Sequence, residues 1–310
     1  MLKNSDENWI AVDWGTSNLR VWLMLGAQII VSKSSTAGMG TLKPEQFEHA
    51  LLDLISDWLD NHASTDKIIV IACGMVGAKM GWQEATYASV PCDPTGVATT
   101  KPKVNDPRID VHILSGLCQN EPADVMRGEE TQIAGFLSKQ PKYSGLICMP
   151  GTHSKWVKID NGKVMQFTTA MTGELYSLLC KHSVLSQLMD KHGRDEKAFL
   201  AGVKQAADAP ELALNNLFSL RARAVLNGVG KAGTAAHLSG LLIGTEIVTM
   251  KRAMMNDVPD ARVDLLGSGV LGELYATAFT ALGETITPID VSELTVLGLI
   301  NAWQTFVKVT

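Results

Sequence analysis

GTSNLRVWL (15–23) and GTHSKWVKI (151–159) begin alike and alternate alike, and the reading of the whole chain starts from that recurrence. Each follows an apolar run, IAVDWG (10–15) in the first case and SGLICMPG (144–151) in the second. Each leads into a third run, QIIVSKSS (28–35) or KVMQFTTAM (163–171), after a tight connection at Gly26-Ala27 or at Asn161-Gly162. Asn-Gly suits a two-residue hairpin turn, so the pattern predicts two strand-strand-strand meanders and two halves built on one plan.

Outward from the first meander, Phe47, Leu51, Leu54, Ile55 and Trp58 recur at three- and four-residue steps and predict a helix over 44–61. KIIVIACG (67–74) is a continuous apolar run with β-branched residues and predicts a strand covered on both faces. After the second meander the chain reads as mainly helical from Gly173 to Asn256. RVDLLGSG (262–269), a helix through Leu282, a strand at ETITPI (284–289) and a closing helix from Ser292 follow. Strands alternating with helices imply an α/β layered fold. The polar, turn-rich FLSKQPKYSG (136–145) marks the boundary, giving domains 1–140 and 141–310.

A chain of 310 residues, 46% hydrophobic, can bury a large core, and its length favours two domains. A net charge of −5, with 27 Lys and Arg against 32 Asp and Glu and no basic run, gives no footprint for a row of phosphates, so no nucleic acid partner is expected. The five cysteines form no CxxC pair, which argues against a zinc or thioredoxin-like site and for reduced thiols in the core. No apolar run approaches the roughly 20 residues that cross a bilayer. Residues 1–9 lack the order of a secretory signal. A cytoplasmic protein without a membrane partner is expected.

Three glycine-containing turns stand at strand ends. In DWGTSNLR (13–20), a carboxylate closes an apolar strand, and Gly15, Thr16, Ser17 and Asn18 let backbone N–H groups approach a phosphate. Asp13 would hold Mg²⁺, through water, because that ion keeps much of its hydration shell. Arg20 can reach a phosphate oxygen. PGTHSK (150–155) is the second such turn, with Gly151, Thr152, His153 and Ser154 as phosphate contacts; the two are expected to clamp one triphosphate from both sides, since phosphoryl transfer depends on positioning and charge stabilisation. The third, Gly267-Ser268-Gly269-Val270-Leu271-Gly272, matches GxGxxG, and Asp290 lies near the spacing of a dinucleotide site's acidic partner. Too little chain follows for a dinucleotide fold, so Gly267, Ser268 and Gly269 are read as passing under an adenosine.

These turns resemble the two phosphate motifs and the adenosine motif of glycerol and sugar kinases in the actin-like ATPase superfamily. CGMVGAKMGW (73–82), MRGEETQIAG (126–135), MPGTHSKWV (149–157) and AMTGELY (170–176) look, in order, like segments of the 2-dehydro-3-deoxygalactonokinase family. The resemblance spans nearly the whole chain. It implies a two-lobed actin-like ATPase (ribonuclease H-like) fold, with duplicated mixed β-sheet domains flanking a nucleotide cleft. It also implies transfer from ATP, with Mg²⁺, to the 6-hydroxyl of 2-dehydro-3-deoxygalactonate, and a homodimer is among the expected partners. Gly128-Glu129 matches the place of the superfamily's catalytic base, with Glu in place of Asp; Glu129 and Glu130 both remain candidates, and both also suit a helix start. By the same resemblance Gly74, Met75, Lys79 and Trp82 lie in the sugar-binding loop, where Lys79 either meets the substrate carboxylate or is simply solvated. Thr172, Gly173 and Glu174 close the site from the other half. Other readings are a kinase for another sugar or sugar acid, a non-catalytic ATP-binding regulator, and a dehydrogenase using 267–272.

Overall fold

The computed structural model describes residues 8–62, 66–96, 98–190, 193–255 and 262–309, without the side chains of 308 and 309. Most of the stretch read for a secretory signal, residues 1–7, and Asn256 at the end of the predicted helical tract lie outside the described residues. The first part of the chain runs β1 (Asn8–Trp14), β2 (Leu19–Leu25), β3 (Gln28–Ser35), α1 (Phe47–Asp60), β4 (Ile68–Gly74), β5 (Tyr87–Ser89), β6 (Thr99–Thr100), β7 (Ile109–Leu114), β8 (Gly116–Asn120), β9 (Ala123–Met126) and α2 (Glu129–Lys139). The rest runs β10 (Gly145–Met149), β11 (Ser154–Asp160), β12 (Lys163–Ala170), α3 (Thr172–His182), α4 (Glu196–Asp208), α5 (Ala213–Asn227), α6 (Lys231–Met254), β13 (Val263–Leu265), α7 (Gly269–Ala281) and α8 (Val291–Val309).

The described residues form two compact units, one within Met1–Tyr143, Asp160–Gln166 and Val291–Thr310, the other within Ser144–Ile159 and Phe167–Asp290. The closing helix α8 thus packs with the first part of the chain, where the sequence reading draws a single division after residue 140.

In the first unit the sheet order is β3-β2-β1-β4-β7-β6. β1 pairs antiparallel with β2 and parallel with β4, and β4 pairs parallel with β7. Period-2 alternation puts Ile10, Val12 and Trp14 on the face covered by α1, through Phe47, Leu51 and Ile55. Trp9 and Ala11 take the opposite face under α8, where the Trp9 and Trp303 rings stack at 5.4 Å between centroids. Asp13 falls on this second face by the same alternation.

A four-stranded sheet repeats the plan with the order β12-β11-β10-β13. β10 pairs antiparallel with β11 and parallel with β13, as β1 does with β2 and β4. The hairpin between β11 and β12 turns at Asn161 and Gly162, with φ of 46° and 76°, as their residue types predict. The order β3-β2-β1-β4 of the first sheet therefore recurs as β12-β11-β10-β13 in the other.

Two local expectations change. Pro44–Gln46 is a 3-10 turn, and the α-helix begins only at Phe47. ETITPI is not a strand: a single parallel bridge, Leu266 to Ile289, occupies the position next to β13. Residues 83–126, to which the sequence reading assigns no element, hold β5, β8 and β9 as a separate three-stranded sheet.

Candidate active site

In the first unit the site is built where β1 and β4 end side by side. Asp13 pairs with Cys73 across these parallel strands, and its carboxylate lies 3.9 Å from the Cys73 thiol. Arg20, opposite Asp13 on β2, reaches back to form an ion pair at 2.9 Å. Burial pushes the Asp13 carboxyl up from its ordinary range, and the Arg20 charge pulls it back down. The turn between the strands closes through Gly15 N–H donating to Asn18 O at 2.9 Å, leaving Thr16, Ser17 and Asn18 exposed.

β4 ends at Gly74 with φ of 89°, and a side chain there would come within 2.7 Å of Trp14 O. Gly128, at φ of 103°, would place a Cβ 3.3 Å from Gly74 Cα. Only glycines permit this contact, and it brings the start of α2 against the ends of β1 and β4. Glu129 and Glu130 follow at once. Glu129 is half-buried, and its Oε2 accepts the Arg127 N–H at 3.1 Å. Glu130 is 1% exposed and accepts from the Gly128 N–H at 2.6 Å and from the Thr131 hydroxyl at 3.0 Å. Burial first, and the Glu129 charge second, push its carboxyl up to about 7. Glu130 and Asp13 both act on the Cys73 thiol, which they and burial hold well above its ordinary range. Asp13, Cys73, Glu129 and Glu130 therefore share one neighbourhood.

Of the predicted sugar-loop residues, Gly74 sits in this junction and Met75 follows it in a short 3-10 turn. Lys79 is exposed. The Trp82 ring packs on Trp14 and Phe47, so it supports the loop from within. The sequence reading missed Arg127, whose Nη2 donates to Ala85 O at 2.7 Å and whose guanidinium lies 4.3 Å over the Tyr87 ring. An Arg directly before Gly-Glu-Glu was the available signal.

In the second unit the predicted residues also gather. The Thr152 carbonyl accepts the Glu174 N–H at 3.0 Å, and His153 Nε2 meets Glu174 Oε2 at 2.5 Å. A side chain at Gly173 would come within 2.5 Å of Gly151 O, so the start of α3 lies directly against the second turn. Thr152 and His153 are exposed, whereas Ser154 is 0% exposed, and its hydroxyl meets the Tyr275 hydroxyl at 2.9 Å inside the core. Gly267 packs on Pro150, which places the third turn beside the second. Ser268 and Gly269 are exposed, and the Ser268 hydroxyl donates to Asp290 at 2.9 Å. That bond engages the carboxylate that a dinucleotide site would use for a ribose.

A pocket of about 660 Å³ opens beside α7. Val270, Leu274 and Phe199 give it apolar walls, and Tyr176, Ser239 and Thr277 give it polar ones. Its size and mixed lining suit a nucleoside. Among the described residues no group of three or more His, Cys, Asp or Glu can hold a metal, so a cation at Asp13 would take its other ligands from water and phosphate. None of the five cysteines forms a disulfide, and among the described residues no helix is long and apolar enough to cross a membrane.

The family model described as 2-keto-3-deoxy-galactonokinase matches residues 13–302. A relative from Rhizobium meliloti (strain 1021), described as a probable 2-dehydro-3-deoxygalactonokinase, is 38% identical over 297 residues, covering 94% of this chain and 95% of the relative. The 2-dehydro-3-deoxygalactonokinase of Escherichia coli (strain K12) is 35% identical over 283 residues, 91% of this chain and 92% of that one. A crystal structure from Sinorhizobium meliloti, assigned to a 2-dehydro-3-deoxygalactonokinase protein, is 38% identical with a TM-score of 0.87, covering 96% of this chain and 99% of that chain.

Proposed function

Since the chain belongs to the 2-keto-3-deoxy-galactonokinase family, we propose that it transfers the γ-phosphoryl group of ATP to the 6-hydroxyl of 2-dehydro-3-deoxy-D-galactonate, in galactonate catabolism and in the cytoplasm. The observation that carries the site assignment is the carboxyl pair at the start of α2, set against the Asp13 end of β1.

Glu129 is the base in this reading. Glu130 is the buried member of the pair, its carboxyl pushed up to about 7. Glu129 is half-buried and stays open to an acceptor hydroxyl. As that oxygen bonds to the γ-phosphorus, Glu129 receives its proton, and the bond to the bridging oxygen breaks with its electron pair leaving on ADP. Asp13 has one carboxylate to offer Mg²⁺ through water, and the ion supplies charge neutralisation on the phosphates when bound. Arg20 holds Asp13 in place and lowers its affinity for protons.

The exposed residues Thr152 and His153, with the backbone of Gly151, offer donors to phosphate oxygens. Gly267, Ser268 and Gly269 lead into the pocket beside α7, which receives the adenosine. Lys79, exposed in the loop after β4, supplies a point charge to the substrate carboxylate.

The test is ADP release across a panel of 2-dehydro-3-deoxy sugar acids, aldonates and hexoses, with and without Mg²⁺. Turnover should be confined to the galactonate derivative, and Asp13→Asn should cut kcat by at least about a hundredfold with an unchanged circular dichroism spectrum. Equal turnover of hexoses rejects the substrate, and near-normal Asp13→Asn activity rejects the role of Asp13.

A further inference from the structure

We propose that Glu246 is a positioning residue for the nucleotide site of the second unit. Its buried carboxylate fixes the second turn, the start of α3 and helix α7 relative to one another. The inference rests on the reading above that ATP binds at these segments.

Glu246 lies in the middle of α6 and is 4% exposed, on a face it shares with buried Leu242, Ile243 and Ile247. Four groups able to donate converge on it. Trp156 Nε1 of β11 donates to Oε1 at 2.8 Å, and the Tyr275 hydroxyl of α7 donates to Oε2 at 2.7 Å. The side chains of Thr172 and Ser154 also lie within hydrogen-bond reach, the single Ser154 proton going either to Glu246 or to the Tyr275 oxygen. Each oxygen of the Glu246 carboxyl group thus has at least one donor.

A leucine or methionine at this position would fill the volume without removing a charge from water, but it would leave the surrounding donors buried and unpaired. What the carboxylate gains is held in its donors, and three of them belong to segments assigned to the nucleotide. Ser154 is the last residue of the turn that carries Thr152 and His153. Thr172 opens α3, whose next residues meet Gly151, Thr152 and His153. Tyr275 lies on α7, one turn beyond the third glycine turn, and also holds the Ser154 hydroxyl. Losing the carboxylate frees three segments at once, while the sugar loop and the Glu129–Glu130 pair belong to the other unit. The effect should therefore be selective for nucleotide.

The experiment compares wild type with Glu246→Leu and Glu246→Gln. It reads the melting temperature, calorimetric Kd for a non-hydrolysable ATP analogue with Mg²⁺, and separate KM values for ATP and sugar acid. Glu246→Leu should melt below wild type, because it leaves the Trp156 and Tyr275 donors buried without an acceptor, and should weaken the analogue at least tenfold with the sugar-acid KM within twofold. Glu246→Gln should fall between. Ser154→Ala should raise the ATP KM in the wild-type background and do nothing further in Glu246→Leu, because the two act as one unit. Should Glu246→Leu fail to fold, Tyr275→Phe removes one donor at near-constant volume, and it should raise the ATP KM at least threefold without moving the sugar-acid KM. Unchanged nucleotide affinity in folded Glu246 and Tyr275 variants, or equal shifts in both KM values, overturns the inference. A wild-type protein that binds no ATP analogue refutes the nucleotide reading itself, a distinct result seen before any variant is made.

Discussion

Replacing Glu130 with Gln should remove a pH dependence from folding. The wild-type carboxyl is raised from 4.5 to about 7 by burial and by the neighbouring Glu129. A raised carboxyl pKa means that the native state holds its proton more tightly than the unfolded chain does. The contribution is thus fully present below about 4.5 and is lost as pH rises through about 7. At about 1.4 kcal/mol for each pH unit between those two values, ionising Glu130 in the folded protein costs about 3 kcal/mol, on the order of 300-fold in the folding constant. Gln keeps the volume and an acceptor for the Gly128 N–H but cannot ionise. Urea unfolding of both proteins at steps from pH 4.5 to 8.5 isolates the group, because other titrations largely cancel in the difference. The variant should gain about 3 kcal/mol on wild type across that window, most of it between pH 5 and 7.5. A difference that stays flat above pH 5 would mean that Glu130 ionises at its ordinary value, and the proposed division of labour with Glu129 would fall with it.

Two other expectations follow from charges near the site. Arg20 lowers the Asp13 carboxyl, so Arg20→Gln should move the acidic limb of the kcat/KM profile to higher pH; an unmoved limb means that Asp13 ionisation does not limit turnover. Arg127 leaves Nε and Nη1 buried without a hydrogen-bond partner, so the volume-keeping Arg127→Met should unfold within about 1 kcal/mol of wild type while Arg127→Ala loses several times more. Equal losses in urea unfolding would show that the charge, not the packing, anchors the loop from Gly77 to Tyr87.

The duplicated meanders were legible because their signals are local. Alternation and a turn glycine are written into consecutive residues, and β3 falls on the residues predicted for it. The stretch between residues 83 and 126 was harder for the same reason. β5, β6, β8 and β9 have two to five residues each, too few for a period to show. β7 is a different failure. Ile109, Val111, Ile113 and Leu114 are as buried as β4, but Asp110 and His112 interrupt the run with a polar pair at 3.1 Å, and His112 is itself buried. A strand whose polar residues satisfy one another does not look apolar in sequence.

The site divides along a similar line, and Glu129 with Glu130 shows where. The two are adjacent and equivalent as letters, and both stand in helical register with buried residues of α2: Ile133 and Phe136 lie four and seven residues after Glu129, Ala134 and Leu137 four and seven after Glu130. On α6, Glu246 likewise stands three and four residues after Ile243 and Leu242. Register with an apolar stripe marks a candidate for burial, but which of two neighbouring carboxylates is buried depends on the elements packed against the helix. What a buried carboxylate holds is not written in the sequence either. The donors to Glu246 come from β11, α3 and α7, between 29 and about 90 residues away in the chain, and only the packing of the unit brings them to a single carboxylate.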